Sequence, residues 1–265
     1  MQALNPAVDL QAFFESLGHA RDCVLMLDYD GTLAPFHERP ECARPYPEVA
    51  AALDELIAQA RTRIVIVSGR ELTDLLPLLA FTRRPEIWGA HGWQRLLPDG
   101  RRVERAAEPA MSAKLDQAER LAQGLEAKGA RLERKPASLA LHWRGLGEAS
   151  AGGIRAAAAS LWQQVLDGRT VELMDFDGGM ELRALGHNKH HAVKTVLSET
   201  AGGSAVAYLG DDLTDEDAFA AVKARGLAVL VRTEPRSSRA DLWIQPPDEL
   251  VAFLKRWRER RATRN

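Results

Sequence analysis

The chain has 265 residues, enough for one large domain or two modest ones, each able to bury a core. Hydrophobic residues make up 46% and charged residues 27%, which excludes disordered and fibrous classes. A formal net charge of −2 argues against a general nucleic-acid binder.

The first nineteen residues carry Asp9 and Glu15 and lack a basic start followed by an apolar stretch, so no signal peptide is read. The longest apolar runs are too short to span a bilayer. The two cysteines, Cys23 and Cys42, form no motif. The expectation is a cytoplasmic, monomeric protein with no structural disulfide and no nucleic-acid or membrane partner.

Residues 23–27 are a short, β-rich apolar run, read as a strand buried on both faces. It ends in Asp28-Tyr29-Asp30-Gly31-Thr32. Two residues apart on extended backbone, Asp28 and Asp30 project to the same side. A carboxylate there could attack phosphorus, and its neighbour could protonate the leaving oxygen and then activate water. Gly31 would allow the sharp turn out of the strand. An acidic turn without chemistry is the competing reading.

Residues 47–60 place Val49, Leu53, Leu56, Ile57 and Ala60 on one helical face, with Pro47 in the first turn. A second buried strand, 64–67, leads to Ser68-Gly69-Arg70. A hydroxyl and exposed N–H groups at a helix start suit a phosphate, although Ser68 taken by itself reads more readily as an ordinary N-cap.

The middle of the chain breaks the strand–helix alternation. Residues 112–128 form an amphipathic helix with Leu115, Ala118, Ala122 and Leu125 on one face. Alternating stretches at 131–135 and 138–143 follow. A second helix at 152–166 precedes strands at 170–174 and 180–184, joined by Asp177, Gly178 and Gly179. The period of two puts Leu139, Leu141 and Trp143 on one face, His142 and Arg144 on the other. Glu181 and Arg183 likewise share a face. Two similar halves in succession imply a small inserted domain at 98–184, with 1–97 and 185–265 forming one larger domain.

Lys189 precedes a helix at 190–200, where its ammonium could neutralise a transferring phosphoryl group. The adjacent His190 and His191 point in different directions on a helix and are not read as a metal pair. A third buried strand, 205–209, ends in Gly210-Asp211-Asp212-Leu213-Thr214-Asp215-Glu216-Asp217. So many carboxylates at a strand end repel one another without a cation, and hard oxygen ligands favour Mg²⁺. Asp211 is the expected ligand, Asp215 orients the site from behind, and Thr214 with Asp217 matches a capping box for a helix at 215–225. A strand at 227–231 and a helix at 248–260 complete the chain. The basic run Lys255, Arg256, Arg258, Arg260 and Arg261 reads as a solvated helix face. Strands alternating with helices predict an α/β fold with a doubly wound parallel sheet.

These motifs, in this order and at strand ends, resemble the haloacid dehalogenase (HAD) superfamily. The chain is most similar to its trehalose-6-phosphate phosphatases, which insert a cap domain after the second motif. The resemblance rests on the Asp28–Thr32 motif, Val67-Ser68-Gly69-Arg70, Lys189, and Gly210-Asp211-Asp212 with Thr214-Asp215-Glu216. It implies a HAD-like core carrying a smaller α+β cap. It further implies a phosphatase with Asp28 as nucleophile and Asp30 as acid/base. Mg²⁺ would be held by Asp28, the Asp30 carbonyl and Asp211, and phosphate by Ser68, Gly69 and Lys189. Thr32, Asp212 and Asp215 would support them.

In the inserted domain, the segment around Lys135, His142 and Arg144, together with Glu181-Leu182-Arg183, resembles the family's sugar-binding elements. Arg70 and His91 join these as expected substrate contacts. Trehalose 6-phosphate is the leading substrate. Sucrose phosphate, glucosylglycerol phosphate, mannosyl phosphoglycerate and phosphohexomutase chemistry are the alternatives. Gln94, Ala184 and His190 depart from the family pattern.

Overall fold

The computed structural model describes residues 1–186 and 188–262. The chain divides into two compact units, Met1–Val103 with Asn188–Asn265, and Glu104–His187. The larger unit opens with β1 (Gln2–Ala3), α1 (Leu10–His19), β2 (Cys23–Asp28), α2 (Pro47–Ala58), β3 (Arg63–Val67), α3 (Leu72–Leu75), β4 (Glu86–Gly89) and β5 (Gln94–Leu96), and β6 (Arg102–Glu104) lies at the boundary. The smaller unit comprises α4 (Pro109–Ala122), β7 (Arg131–Lys135), β8 (Ser138–His142), α5 (Glu148–Gln163), β9 (Val171–Phe176) and β10 (Gly179–Ala184). The larger unit resumes with α6 (Lys189–Ser198), β11 (Ala205–Gly210), α7 (Glu216–Val222), β12 (Leu227–Val231), β13 (Leu242–Ile244) and α8 (Asp248–Ala262).

The larger unit is an α/β fold around one sheet in the order β1-β13-β12-β11-β2-β3-β4-β5-β6. Its centre, from β13 through β4, is parallel. Every residue of β2 is buried, because both faces of the sheet are covered. Leu25 and Leu27 pack with Phe14, Leu53 and Phe253 on one side. Val24 and Met26 pack with Val193 and Phe219 on the other. The chain leaves β2 towards β3 on one side, and β11 lies on the other. The carboxyl ends of β2 and β11 therefore flank a topological switch point, where open α/β sheets bind ligands.

The smaller unit is an antiparallel sheet in the order β7-β8-β10-β9. Leu139, Leu141, Met180 and Leu182 are buried, and α4 and α5 pack on the sheet. Leu115, Ala118, Ala122 and Leu125 are buried as the periodicity predicts, although α4 stops at Ala122 and Leu125 lies in a 3₁₀ turn. The Asp177-Gly178 pair makes a two-residue hairpin, with Gly178 at φ +84° and Gly179 already paired to Phe176.

Several local expectations are corrected. Ala60 lies beyond α2 at φ +53° and is exposed, so Ala52 completes the buried face instead. β8 ends at His142, leaving Trp143 and Arg144 past the strand. The helix expected at 215–225 is a 3₁₀ turn, Leu213–Asp215, followed by the shorter α7. Its capping box uses Asp212 and Asp215, not Thr214 and Asp217. The turn begins two residues earlier than the capping pattern suggested, so the earlier aspartate takes the cap.

The basic C-terminal run is not simply solvated. Arg261 is buried and donates to the carbonyls of Leu17, Ala20 and Arg61. Two of these acceptors belong to the C-terminal end of α1, where a cation also meets the negative end of the helix dipole. Arg261→Ala would leave buried acceptors unpaired, an expected loss of about 3 kcal/mol. For a chain of this size that is a Tm lower by about 6–10 °C. A thermal shift below about 1 °C would show that the contact carries no stability.

Candidate active site

Asp28 is the last residue of β2, and Lys189, the first of α6, reaches it through the interior. Lys189 Nζ lies 2.6 Å from Asp28 Oδ1 and 2.8 Å from Asp215 Oδ1. All three residues are buried. Asp211 follows β11, and its carboxylate closes the group: oxygens of Asp28, Asp211 and Asp215 lie within 4.8 Å of one another. Gly31 makes this approach possible. At φ +84°, it presents no side chain where a Cβ would fall 2.1 Å from Asp211 Oδ2.

Three buried carboxylates face one ammonium, with the Arg232 guanidinium 4.0 Å from Asp211, and the excess of negative charge shows in the titration of Asp28 and Asp211. Burial, aided by Asp215, pushes Asp28 up to about 7 against the pull of Lys189. Asp211 is driven well above its ordinary range by burial and by the Asp28 and Asp215 charges. Burial alone would lower Lys189, but Asp215 and Asp28 override it and hold the ammonium above its usual range.

Asp215 is fully engaged. One oxygen accepts from Lys189 and the Tyr208 hydroxyl, and the other accepts from the Asp211 and Asp212 N–H groups. By contrast, Asp28 Oδ2 and Asp211 Oδ1 are buried with no hydrogen-bond partner. Two orphaned carboxylate oxygens in a charge-deficient cluster fit a hard divalent cation. Thr32 Oγ1, on the turn that follows Asp28, is likewise buried without a partner.

Asp30 is directed elsewhere. Both its oxygens accept from Arg70, at 2.7 Å from Nε and 2.7 Å from NH2. The guanidinium also donates to Pro40 O and lies over the Tyr29 ring. Arg70, expected as a substrate contact, is here the orienting partner of Asp30.

Ser68 does not cap a helix, since α3 begins at Leu72 with Glu71 before it. Its hydroxyl instead accepts from Arg70 N–H, closing a tight loop after β3. His91 N–H donates to Ser68 O, and the imidazole covers Gly69, where a Cβ would fall 2.6 Å from the ring. Ala90 and His91 both hold positive φ, 47° and 54°. Such strain in two consecutive non-glycine residues persists only where the surroundings impose it. Gln94 is structural: its Oε1 accepts from Leu72 N–H. His190 faces Asp217 O and His191 packs edge-on to Trp88, so the two rings diverge as expected.

In the smaller unit, strand pairing brings Lys135, Ser138 and Arg183 into register, and Glu133, Ala140 and Glu181 into the next row. The side chains of Glu133, Lys135, Ser138 and Glu181 form one network, while Arg183 donates to Glu172 at 2.8 Å. Ser138 Oγ donates to Glu181 at 2.7 Å, and Lys135 lies 3.5 Å from Glu133 and 3.8 Å from Glu181. His142 Nε2 is 2.7 Å from Glu133. Burial holds the imidazole below its usual range, against the pull of the Glu133 hydrogen bond and charge. Although burial opposes it, the His142 bond and the Lys135 and Arg131 charges hold Glu133 low. Arg144, past the strand end, donates to Asp177 O at the hairpin turn. It does not share the face predicted for it with His142, because alternation stops where the strand stops.

Sequence reasoning missed Tyr208 and the Arg70–Asp30 pair. A tyrosine inside a fully buried strand needs a partner for its hydroxyl, a signal that could have pointed to Asp215.

The sequence profile of the trehalose-phosphatase family matches residues 26–243. The chain is 34% identical over 228 residues to the trehalose-phosphate phosphatase of Mycobacterium ulcerans, covering 82% of this chain and 55% of that protein. It thus spans about half the length of the curated relatives it matches. Its fold is similar to the C-terminal domain of C. albicans trehalose-6-phosphate phosphatase, with a TM-score of 0.84 at 22% identity over 98% of this chain and 99% of that one. A phosphatase of the HAD enzyme superfamily from Bacteroides thetaiotaomicron matches with a TM-score of 0.59 at 16% identity, covering 95% and 98% of the two chains. Among the described residues, no helix is long and apolar enough to cross a membrane.

Proposed function

The chain belongs to the trehalose-phosphatase family, and from that premise we propose that it hydrolyses trehalose 6-phosphate to trehalose and phosphate through an aspartyl phosphate on Asp28. The observation that carries this reading is the buried Asp28–Lys189–Asp211 cluster at the strand ends, with two orphaned carboxylate oxygens. In the first step an Asp28 carboxylate oxygen bonds to phosphorus as the bond to the sugar oxygen breaks. Asp30 supplies the proton that the departing sugar oxygen takes up. In the second step water attacks phosphorus, Asp30 receives its proton, and Asp28 leaves as a carboxylate. Lys189 keeps the nucleophile oriented and offsets charge on the phosphoryl oxygens. Ser68 and the Gly69 N–H are assigned to the phosphate.

The Asp28 and Asp211 carboxylates, with the Asp30 carbonyl, would hold Mg²⁺, which would supply positive charge to the transferring phosphoryl group. Arg70 must release Asp30 at least in part, because a forked guanidinium favours the carboxylate over the acid needed in the first step. Chelation tests the proposal. Phosphate release from trehalose 6-phosphate should disappear with EDTA and return with Mg²⁺; undiminished release after exhaustive chelation would contradict it.

The core groups can recognise phosphate but have no means of reading a disaccharide. We assign sugar recognition to the polar face of the smaller unit, through Lys135, His142 and Glu181, with Arg144 at its hairpin edge. These groups offer both donors and acceptors to hydroxyls. Glu181→Gln keeps the acceptor for Ser138 and removes the charge. It is expected to lower kcat/KM for trehalose 6-phosphate by about tenfold or more, while altering p-nitrophenyl phosphate turnover far less. Equal losses on both substrates would assign Glu181 to folding rather than to the sugar.

A further inference from the structure

The metal reading assigns a ligand role to Asp211, and an arginine distant in sequence fixes the turn that carries it. Asp211 N–H donates to Asp215 Oδ2 at 3.1 Å. Its carbonyl accepts from Arg232 NH1 at 3.2 Å and from Arg236 Nε and NH2, each at 3.3 Å. Arg236 NH2 also donates to Asp212 O at 2.7 Å, so one guanidinium holds two successive carbonyls of the acidic turn. Its NH1 bonds Glu216 and donates to Ser237 O at 2.9 Å. Glu216 is itself held by Ser238 Oγ at 2.7 Å and by Arg239 N–H at 2.8 Å. The segment after β12 thereby buttresses the Asp211–Asp212 turn. A planar guanidinium with five donors suits this task, whereas an ammonium could meet only part of it.

We infer that Arg236 is a positioning residue for the metal-ligating carboxylate of Asp211. This rests on the Mg²⁺ reading above. With both its N–H and its carbonyl held by charged side chains, Asp211 has little freedom to turn its carboxylate away from the cation. Groups that orient a ligand in this way commonly govern metal affinity by about 10–100-fold.

The test is calorimetric titration of Mg²⁺ into the metal-free full chain. Arg236→Ala should raise the Mg²⁺ Kd by about tenfold or more, and Arg236→Lys should fall between it and wild type. The metal-free Tm should change little by comparison, because Arg236 is partly exposed and Arg232 still donates to the Asp211 carbonyl. A folded Arg236→Ala protein with the wild-type Kd would overturn the inference while leaving the metal reading intact. If that variant does not fold, Glu216→Gln, which removes the charge anchoring Arg236, decides in its place: a raised Kd supports the inference and an unchanged one overturns it. Absence of Mg²⁺ binding by wild type would remove the metal reading, and this inference with it.

Discussion

Asp28→Asn is expected to lose about 10⁴-fold or more in turnover while keeping its fold. The amide matches the carboxylate in shape but cannot accept a phosphoryl group and later release it as a carboxylate. The same substitution should leave the metal-free Tm unchanged or raise it. Asp28 is one of three buried carboxylates facing a single ammonium, and burial already pushes it up to about 7. Removing its charge relieves repulsion with Asp211 and Asp215, and Asn Oδ1 can still accept from Lys189. Lost activity without lost stability is the pattern of a group retained for chemistry at the expense of the fold. Peptide mapping of enzyme quenched during turnover should find the phosphoryl adduct on Asp28 in wild type and none in the variant. Near-wild-type turnover by the sequence-verified variant would remove Asp28 from the nucleophile role.

Lys189→Met should cost both stability and activity, the opposite pattern. The ammonium lies 2.6 Å and 2.8 Å from two buried carboxylates. Removing one partner of a buried ion pair costs about 3–5 kcal/mol, because the remaining charge stays desolvated. Here two carboxylates are left. The metal-free Tm should fall by about 6 °C or more. Saturating Mg²⁺ should recover part of that stability by mass action on the folded state. Phosphate release should drop by about 10²–10³-fold even with the metal bound, since charge on the phosphoryl oxygens loses a fixed counterion. A metal-free Tm equal to that of wild type would show that the pair adds no net stability. Turnover within about tenfold would remove Lys189 from the phosphate site.

What could be read from the sequence depended on whether a feature was local. The buried strands β2, β3, β11 and β12 were legible as short apolar runs, because a sheet covered on both faces leaves no polar positions to obscure them. Asp28, Ser68, Lys189 and Asp211 stood out because each follows such a run or opens a helix. Patterns that required counting across a helix start fared worse. Thr214 and Asp217 satisfy the capping-box spacing, but a 3₁₀ turn intervenes and Asp212 takes the cap. Arg144 was assigned a face by a periodicity that ends two residues earlier.

The long-range arginines were illegible. Arg261 looks like one more charge in a basic helix, yet its partners lie on α1 and before β3, more than 190 residues away. Arg236 sits in a polar loop with nothing local to mark it, and the two carbonyls of the acidic turn that it holds are 24 and 25 residues earlier. Backbone carbonyls carry no sequence signal, so residues whose work is to hold them emerge only from the fold. The Arg70–Asp30 pair is a further case: each residue had been given a role, but their bidentate contact joins loops 40 residues apart.

The most direct test is phosphate release compared across a panel of phosphate esters in the presence of Mg²⁺. The panel would contain trehalose 6-phosphate, sucrose phosphate, glucosylglycerol phosphate, a mannosyl phosphoglycerate, a hexose monophosphate and a hexose bisphosphate. The highest kcat/KM is expected for trehalose 6-phosphate, by about tenfold or more over the others, because only the sugar-reading face distinguishes them. A higher kcat/KM for a different glycoside phosphate would contradict the named substrate. Isomerisation of the bisphosphate without net phosphate release, or no release from any ester, would contradict the phosphatase itself.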